Sequence, residues 1–365
     1  MKNKILNEIK SVIVISFLAF IFFGCKKQPP TIKIGAILPL TGNISLFGGW
    51  LKEGIDFAIA ELGAGVKVLY EDNQGEVVKA VTAFHKLADV DKVNAVITAQ
   101  TPIANALIGL SNSKKTFTIF TFADLPEGNR DYILNYHFPV QDEAKVLAEF
   151  AFNELGKKAA ILVTNDEFGR QGEEIFKKEF EGTIVYSERL PSPVKDVRST
   201  IQLLKNSKPD FVFLIAYTHD LVAIVKEMKN IGMEVPVIGP NVLTVYLSLI
   251  KDYLPPRAYF TASLYDAGEF STSAYKEFIE KYKNKTGKEP NMVIAEAYEA
   301  TKILLEGLTQ SKSSSDLIKF FEGLKTYNGI FGEVKIDTNR QAHFPLAVIE
   351  FQKGERNRVV FQFMP

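Results

Sequence analysis

The sequence contains one cysteine and four histidines in 365 residues, and both shortages limit the chemistry open to it. With a single cysteine, an intramolecular disulfide is impossible. His85, His137, His219 and His343 lie far apart along the chain. A metal site that used several of them would therefore have to be assembled by folding.

Recognisable catalytic motifs are also missing. The chain has no G-x-G-x-x-G, no G-x-x-x-x-G-K-[ST], no H-E-x-x-H and no G-x-S-x-G segment. Such segments bind dinucleotides or phosphates, hold zinc, or present a nucleophilic serine. The sequence therefore predicts neither enzymatic activity nor a resident cofactor or metal.

Neither sign of charge is in excess, since lysine plus arginine and aspartate plus glutamate each number 43. Without a basic excess to neutralise phosphates, nucleic acid is not an expected partner. A hydrophobic content of 46% with 24% charged residues is typical of a globular protein. A chain of 365 residues is longer than a domain with a single hydrophobic core usually is, which predicts two domains.

The amino terminus differs from the rest of the chain. Three lysines precede an apolar run over residues 12–23, which ends in Gly24 and Cys25. The run is shorter than the roughly 20 residues that span a bilayer, which favours an export signal over a membrane anchor that stays attached. It resembles the bacterial lipoprotein signal, although Phe22 and Phe23 are bulkier than the residues usual there. We therefore predict a signal peptide at 1–25, a lipidated Cys25, a tether at 26–31, and a membrane-anchored protein of the cell envelope or periplasm.

The segment from Thr31 to Leu62 predicts the architecture that the rest of the chain repeats. Alternating apolar residues from Ile32 to Leu38 predict a buried strand, and Pro39 to Asn43 predict a loop. Apolar residues at helical spacing follow, up to Leu62. This is half of a βαβ unit, whose loop lies at the carboxyl edge of the sheet, where open α/β folds bind ligands.

The same pattern recurs along the chain. Further strands are predicted at 66–70, 93–98 and 117–122, with Thr101 as the N-cap of the helix between the last two. A second series begins after a crossing near 135–141, with strands at 159–164, 184–188, 211–216, 235–238 and 258–264. Strands near 329–337, 344–351 and 359–363 predict a small antiparallel meander. The predicted fold class is α/β, with two doubly wound parallel-sheet lobes and a small antiparallel extension near the C-terminus.

Loops at the strand ends supply the candidate ligand-binding residues. Loops in this position face the cleft between two lobes, and hydroxyl, amide and aromatic side chains outnumber charged ones there. The predicted ligand-binding residues are Phe47, Trp50, Gln100, Thr101, Ala123, Asp124, Phe168, Tyr217, Thr218 and Asn241. Two alternatives remain open: Phe47 and Trp50 could belong to the core, and Asp124 could pair with Arg130 or Lys114.

Several ordered segments carry a resemblance to a known family. They are LPLTGNISLFGGWLKEGIDFAIAEL, YEDNQGEVVKAVTAFHKL, DKVNAVIT, DEFGRQGEEIFKKEF, DFVFLIAYTHD, VPVIGPN and AEAYEA. They resemble the branched-chain amino acid receptor family of periplasmic binding proteins, type I fold. The resemblance implies two lobes joined by a hinge of about three strands, and delivery of a small-molecule ligand to an ABC-type membrane permease. It implies lobe 1 at 32–138 plus about 266–325, and lobe 2 at 139–265 plus about 326–365.

Only some of the family's ligand-binding residues are matched at the corresponding positions of this sequence. Thr101 stands where the family has serine, Tyr217 keeps an aromatic residue, and Phe168 replaces a tyrosine. Asp124 stands where the family has threonine, so it would repel a ligand carboxylate. Asn241 stands where amino-acid binders hold the ammonium with an acid. The resemblance therefore implies a neutral or cationic polar ligand in preference to leucine.

Three other functions remain open from the sequence, and one of them is an enzyme or inactive enzyme relative that uses the same cleft. The same cleft could belong to a ligand-sensing receptor module, whose partner would be a receptor instead of a permease. The chain could also be a structural lipoprotein with no ligand.

Overall fold

The computed structural model describes residues 32–62, 65–126, 128–263, 272–311, 313–353 and 358–363. The predicted signal peptide, Cys25 and the tether lie outside these residues, as does the end of the strand predicted at 258–264. Every helix within the described part of the chain is too short or too polar to cross a membrane.

The first lobe is built on a five-stranded parallel sheet in the order β2-β1-β3-β4-β5. Both faces of its inner strands are buried, as the continuous apolar runs predict. The strands are β1 Ile32–Leu38, β2 Val66–Asp72, β3 Ala95–Ala99, β4 Phe117–Thr121 and β5 Ile133–Asn135. The helices between them are α1 Ser45–Leu62, α2 Val77–His85, which continues as π-helix over Lys86–Asp91, and α3 Thr101–Lys114.

The second lobe is built on a seven-stranded sheet in the order β15-β14-β10-β9-β8-β6-β7. Its parallel strands are β6 Lys158–Thr164, β7 Thr183–Leu190, β8 Phe211–Ile215, β9 Val237–Gly239 and β10 Ala258–Ser263. Its helices are α4 Val140–Glu154, α5 Glu167–Glu179, α6 Arg198–Asn206, α7 Thr218–Asn230, α8 Val242–Val245 and α9 Leu247–Ile250.

The prediction that the C-terminal strands form one antiparallel meander is wrong, because they divide between two sheets. Strands β11 Thr326–Gly329, β12 Gly332–Ile336 and β13 Ala342–His343 form a separate three-stranded antiparallel sheet. Strands β14 Leu346–Glu350 and β15 Arg358–Phe363 instead extend the lobe 2 sheet, antiparallel to β10. The reason is burial: four of the five residues of β14 are buried, which an edge strand of a small exposed sheet could not achieve.

Helices from the last third of the chain complete the first lobe. They are α10 Ser273–Thr286, α11 Met292–Gln310 and α12 Ser314–Gly323. Helix α11 packs against α1. The two helices approach closely at Gly54, where an added Cβ would lie 2.3 Å from the carbonyl oxygen of Ile294. The lobe 1 core therefore depends on chain segments far apart in sequence.

The chain crosses between the two sheets at residues 136–139, directly after β5. A later connecting segment runs beside this crossing, because Asn135 pairs with Gln341 in a parallel bridge. Gln341 fixes the contact: its Nε2 donates to the carbonyl oxygen of His137 over 2.8 Å. Asn135 Nδ2 donates to Gln341 Oε1, also over 2.8 Å. These two segments form the described part of the hinge.

Candidate functional site

A cavity of about 510 Å³ lies between the two lobes, at the carboxyl ends of their parallel strands. This volume is within the range of small-molecule sites. The cleft is lined by Ile44, Phe47, Gln100, Thr101, Pro102, Asn105, Phe122, Asp124 and His137 from the first lobe and the crossing, and by Asp166, Glu167, Phe168, Arg170, Ser192, Tyr217, Asn241, Val242, Val245 and Tyr246 from the second.

The structure brings together seven of the ten predicted ligand-binding residues. Those that line the cleft are Phe47, Gln100, Thr101, Asp124, Phe168, Tyr217 and Asn241. Trp50 does not line it and instead packs, half-buried, against the large core cluster. Ala123 is fully buried behind the wall, where its carbonyl oxygen accepts a hydrogen bond from Asn135 Nδ2 over 2.8 Å. Thr218 is the first residue of α7, and its side chain lies outside the described part.

The amino terminus of α3 forms part of the first-lobe wall. The N-cap is Gln100 and not Thr101 as predicted, because the helix begins at Thr101 and the Gln100 backbone takes a φ of 81°. The Thr101 hydroxyl oxygen accepts the backbone N–H of Asp124 over 3.0 Å instead of capping the helix. Thr101 thus ties the loop after β3 to the loop after β4.

Asp124 presents a carboxylate to the cleft from the loop after β4. It is 3% exposed, and its Oδ1 accepts the backbone N–H of Val140 over 2.7 Å. Neither proposed pairing partner reaches it, since Arg130 donates to backbone carbonyls nearby and Lys114 pairs with Asp89. Burial therefore raises the pKa of Asp124 to about 6, against the opposing effects of His137 and the Val140 N–H.

His137 and Glu296 form a buried pair that sequence reasoning missed. The His137 ring lines the cleft, and its Nδ1 lies 3.0 Å from both carboxylate oxygens of Glu296. Burial works to lower the pKa of His137, but the charge and hydrogen bond of Glu296 outweigh it, so the pKa is raised. Burial likewise raises the pKa of Glu296. The AEAYEA segment, which contains Glu296, was the only available signal, because 159 residues separate the two partners.

The neighbouring Glu299 is also buried. Its Oε2 accepts the hydroxyl of Tyr136 over 2.7 Å, and its Oε1 accepts the backbone N–H of Ile330. Burial raises the pKa of Glu299 to about 7. Glu299 therefore ties helix α11 to the small antiparallel sheet and takes no part in the cleft.

Two aromatic side chains and an asparagine form part of the second-lobe wall. The rings of Phe168 and Tyr217 lie 5.5 Å apart at an angle of 32°. Asn241 follows β9, and its backbone N–H donates to Glu143 Oε1 over 2.7 Å. The hydroxyl of Thr261 donates to the same oxygen. Glu143 thus positions the Asn241 loop from behind the wall.

Glu167, Arg170, Ser192 and Tyr246 also line the cleft and were not predicted. Arg170 and Glu167 form an ion pair one helical turn apart at the start of α5, as their spacing could have indicated. Ser192 Oγ donates to Asp220 over 2.6 Å, a contact that spans 28 residues. Within the described residues, no cluster of three or more potential metal ligands is present.

The site's chemistry is that of binding. Its walls carry aromatic rings, amides, hydroxyls and a buried carboxylate, contributed by both lobes. Such a surface suits a small molecule with both polar and apolar parts.

Comparison with known proteins identifies the family. The family model described as periplasmic binding protein matches residues 31–356. A curated relative, the Leu/Ile/Val-binding protein homolog 7 of Brucella suis, is 23% identical over 331 residues, covering 83% of each chain.

Two solved structures share the fold. The branched-chain amino acid transporter substrate-binding protein LivJ of Streptococcus pneumoniae, in complex with isoleucine, superposes with a TM-score of 0.82 at 19% identity, covering 91% of this chain and 99% of LivJ. An ABC transporter solute-binding protein of Rhodopseudomonas palustris, in complex with 4-hydroxybenzoate, gives a TM-score of 0.80 at 22% identity, covering 91% and 96%. The chain therefore belongs to the periplasmic binding protein family and shares the fold of these two solved structures.

Proposed function

We propose that this protein is an exported, lipid-anchored solute-binding protein. It captures a small polar ligand, an amino acid or a related amide or amine, and delivers it to an ABC-type membrane permease. The observation that carries the proposal is the cavity of about 510 Å³ to which both lobes contribute polar and aromatic side chains. The predicted signal peptide and Cys25 supply the export and the anchor.

The mechanism is a shift in the population of open and closed forms. A ligand in the cleft contacts Thr101 and Asp124 on the first lobe and Tyr217 and Asn241 on the second only when the lobes are close together. Its higher affinity for the closed form moves the equilibrium toward closure. The hinge segments beside Asn135 and Gln341 would accommodate the motion, because few residues connect the two sheets there.

The comparisons support transport over the alternatives. The relatives described above are named as binding proteins, and two are described as transporter components. A structural lipoprotein without a ligand would be expected to have side chains filling its cleft, whereas this cleft is open. A sensory module would have the same cleft, so only the partner distinguishes it. Recovery of a permease, and not a kinase, with the anchored protein from solubilised membranes would favour transport.

Native mass spectrometry of the body that follows Cys25, purified without denaturation, tests ligand capture. We expect a small-molecule adduct that is lost in Tyr217→Ala and kept in Leu203→Ala, a control at an exposed residue of the same lobe. Small-angle scattering should show compaction when the ligand is added. If no amino acid, amide, amine or short peptide changes either the mass or the radius of gyration, the proposal is wrong.

A further inference from the structure

The charges that line the cleft do not balance one another. Each of its two cationic side chains already forms a salt bridge with an acidic one: Arg170 pairs with Glu167, and His137 pairs with Glu296. Asp124 and Asp166 also line the cleft, and neither forms a salt bridge with any described residue. Two carboxylates of the cleft therefore lie outside any salt bridge with a described residue, and the nearby charge of His137 that acts on Asp124 is already paired with Glu296.

The two carboxylates differ in what they can offer a ligand. Asp166 caps α5, where its Oδ1 accepts the backbone N–H of Gly169 over 2.8 Å, and it is half-buried. Asp124 is 3% exposed, and only its Oδ1 is bonded, to the Val140 N–H. Its Oδ2 has no hydrogen-bond partner among the described residues. Buried acids are normally paired, whereas Asp124 forms no salt bridge and feels only the longer-range attraction of His137.

Aromatic rings lie on both walls of the same cleft. On the first lobe, Phe47 and Phe122 pack edge to face with their centroids 5.3 Å apart. On the second lobe, Phe168 and Tyr217 lie 5.5 Å apart. The face of an aromatic ring attracts a cation, and its apolar surface favours the body of an organic molecule over a hydrated inorganic ion.

We propose that the ligand is an organic cation, whose amine or ammonium group pairs with Asp124 and whose apolar body packs against the aromatic walls. This inference rests on the proposed function and adds the charge of the ligand. It separates this chain from the two solved relatives, whose ligands are isoleucine, a zwitterion, and 4-hydroxybenzoate, an anion.

Titration calorimetry at neutral pH with two pairs of matched probes tests the proposal. Isoleucinamide is compared with isoleucine, and 4-hydroxybenzylamine with 4-hydroxybenzoate, so that shape is nearly constant and charge changes. We expect the cation of at least one pair to bind about tenfold or more tightly than its partner, the range of a charged hydrogen bond. Asp124→Asn, which keeps the acceptor for the Val140 N–H, should remove this preference. Asp131→Asn, the same change at an exposed residue outside the cleft, should leave it intact.

The outcomes separate this inference from the proposed function. If neither cation binds more tightly than its matched partner although at least one of the four probes binds, the charge assignment is wrong while ligand capture stands. Cation binding that Asp124→Asn leaves unchanged also overturns the assignment to Asp124. If none of the four probes binds, the inference fails, and the mass-spectrometric search described above decides the proposed function separately.

Discussion

The glutamate behind the second-lobe wall should make the protein less stable as the pH rises through neutrality. Glu143 is fully buried on α4, and its Oε1 accepts hydrogen bonds from the Asn241 N–H and the Thr261 hydroxyl. Its Oε2 has no partner among the described residues. Burial raises the pKa of Glu143 from its ordinary value of 4.5 to about 8, against the two hydrogen bonds and the charge of His137. The folded protein therefore keeps this carboxyl protonated where the unfolded chain has released the proton.

The sign and the size of the effect follow from proton linkage. Because the folded pKa is the higher one, the stabilisation is complete below pH 4.5 and is lost as the pH rises to about 8. The slope in this window is about 1.4 kcal/mol per pH unit, so Glu143 removes about 2 to 3 kcal/mol of unfolding free energy between pH 6 and pH 8. Asp124 and Glu299 also have raised pKa values, near 6 and 7, and add to the decline at lower pH.

Glu143→Gln isolates this contribution, because it keeps an oxygen for both donors and cannot ionise. Urea unfolding followed by circular dichroism should show that the variant gains about 2 to 3 kcal/mol relative to the wild type on going from pH 6 to pH 8. Circular dichroism is preferable to fluorescence here, since the single tryptophan, Trp50, lies in the other lobe. The control is Glu149→Gln, the same change at an exposed site on the same helix. Parallel pH profiles for the wild type and Glu143→Gln would refute the reasoning.

Further predictions concern helix α1, the ligand site and the lobe 1 core. Gly48→Ala should destabilise the fold by about 1 to 3 kcal/mol, because its Cβ would lie 2.0 Å from the Pro39 carbonyl oxygen. Gly49→Ala, one residue along on the exposed side, should stabilise it by about 0.5 to 1 kcal/mol, since nothing lies within 4 Å; urea midpoints of both variants equal to that of the wild type would contradict both. Calorimetric affinity for isoleucinamide should fall as the pH drops below about 6, because protonation of Asp124 removes the charge that pairs with the ligand; the decline should be absent in Asp124→Asn. Tyr136→Phe should cost about 1 to 3 kcal/mol of unfolding free energy, since it leaves the buried Glu299 without its hydroxyl donor; an unchanged urea midpoint would show that this bond contributes nothing net.

The order and type of most elements could be predicted from the sequence because their signals are local. Alternating apolar residues predict β1 and β2, and apolar residues at helical spacing predict α1 and α11. The succession of strands and helices then predicts the α/β class and the parallel sheets. Loops at the ends of parallel strands must meet at one edge of a sheet. That rule placed Thr101, Asp124 and Tyr217 in a common cleft without any knowledge of the tertiary contacts.

The tertiary structure decided which polar groups meet across long stretches of chain. His137 and Glu296 are 159 residues apart, and Glu143 meets Asn241 and Thr261 over 98 and 118 residues. No local pattern identifies such pairs, because a buried acid has the same sequence neighbours as an acid on the surface of a helix. The same limit applied to Trp50, whose half-burial against the core depends on what packs there.

The two final strands separate what the sequence determines from what the tertiary structure decides. The sequence by itself determined that 344–351 and 359–363 are extended, because alternation and turn residues are properties of the strand alone. Only the tertiary structure decided that they join the lobe 2 sheet beside β10, since strand pairing depends on which edge offers hydrogen-bond partners and an apolar surface to cover. The charge of the cleft was decided in the same way: the sequence shows five charged side chains, and the fold determines which of them are already paired.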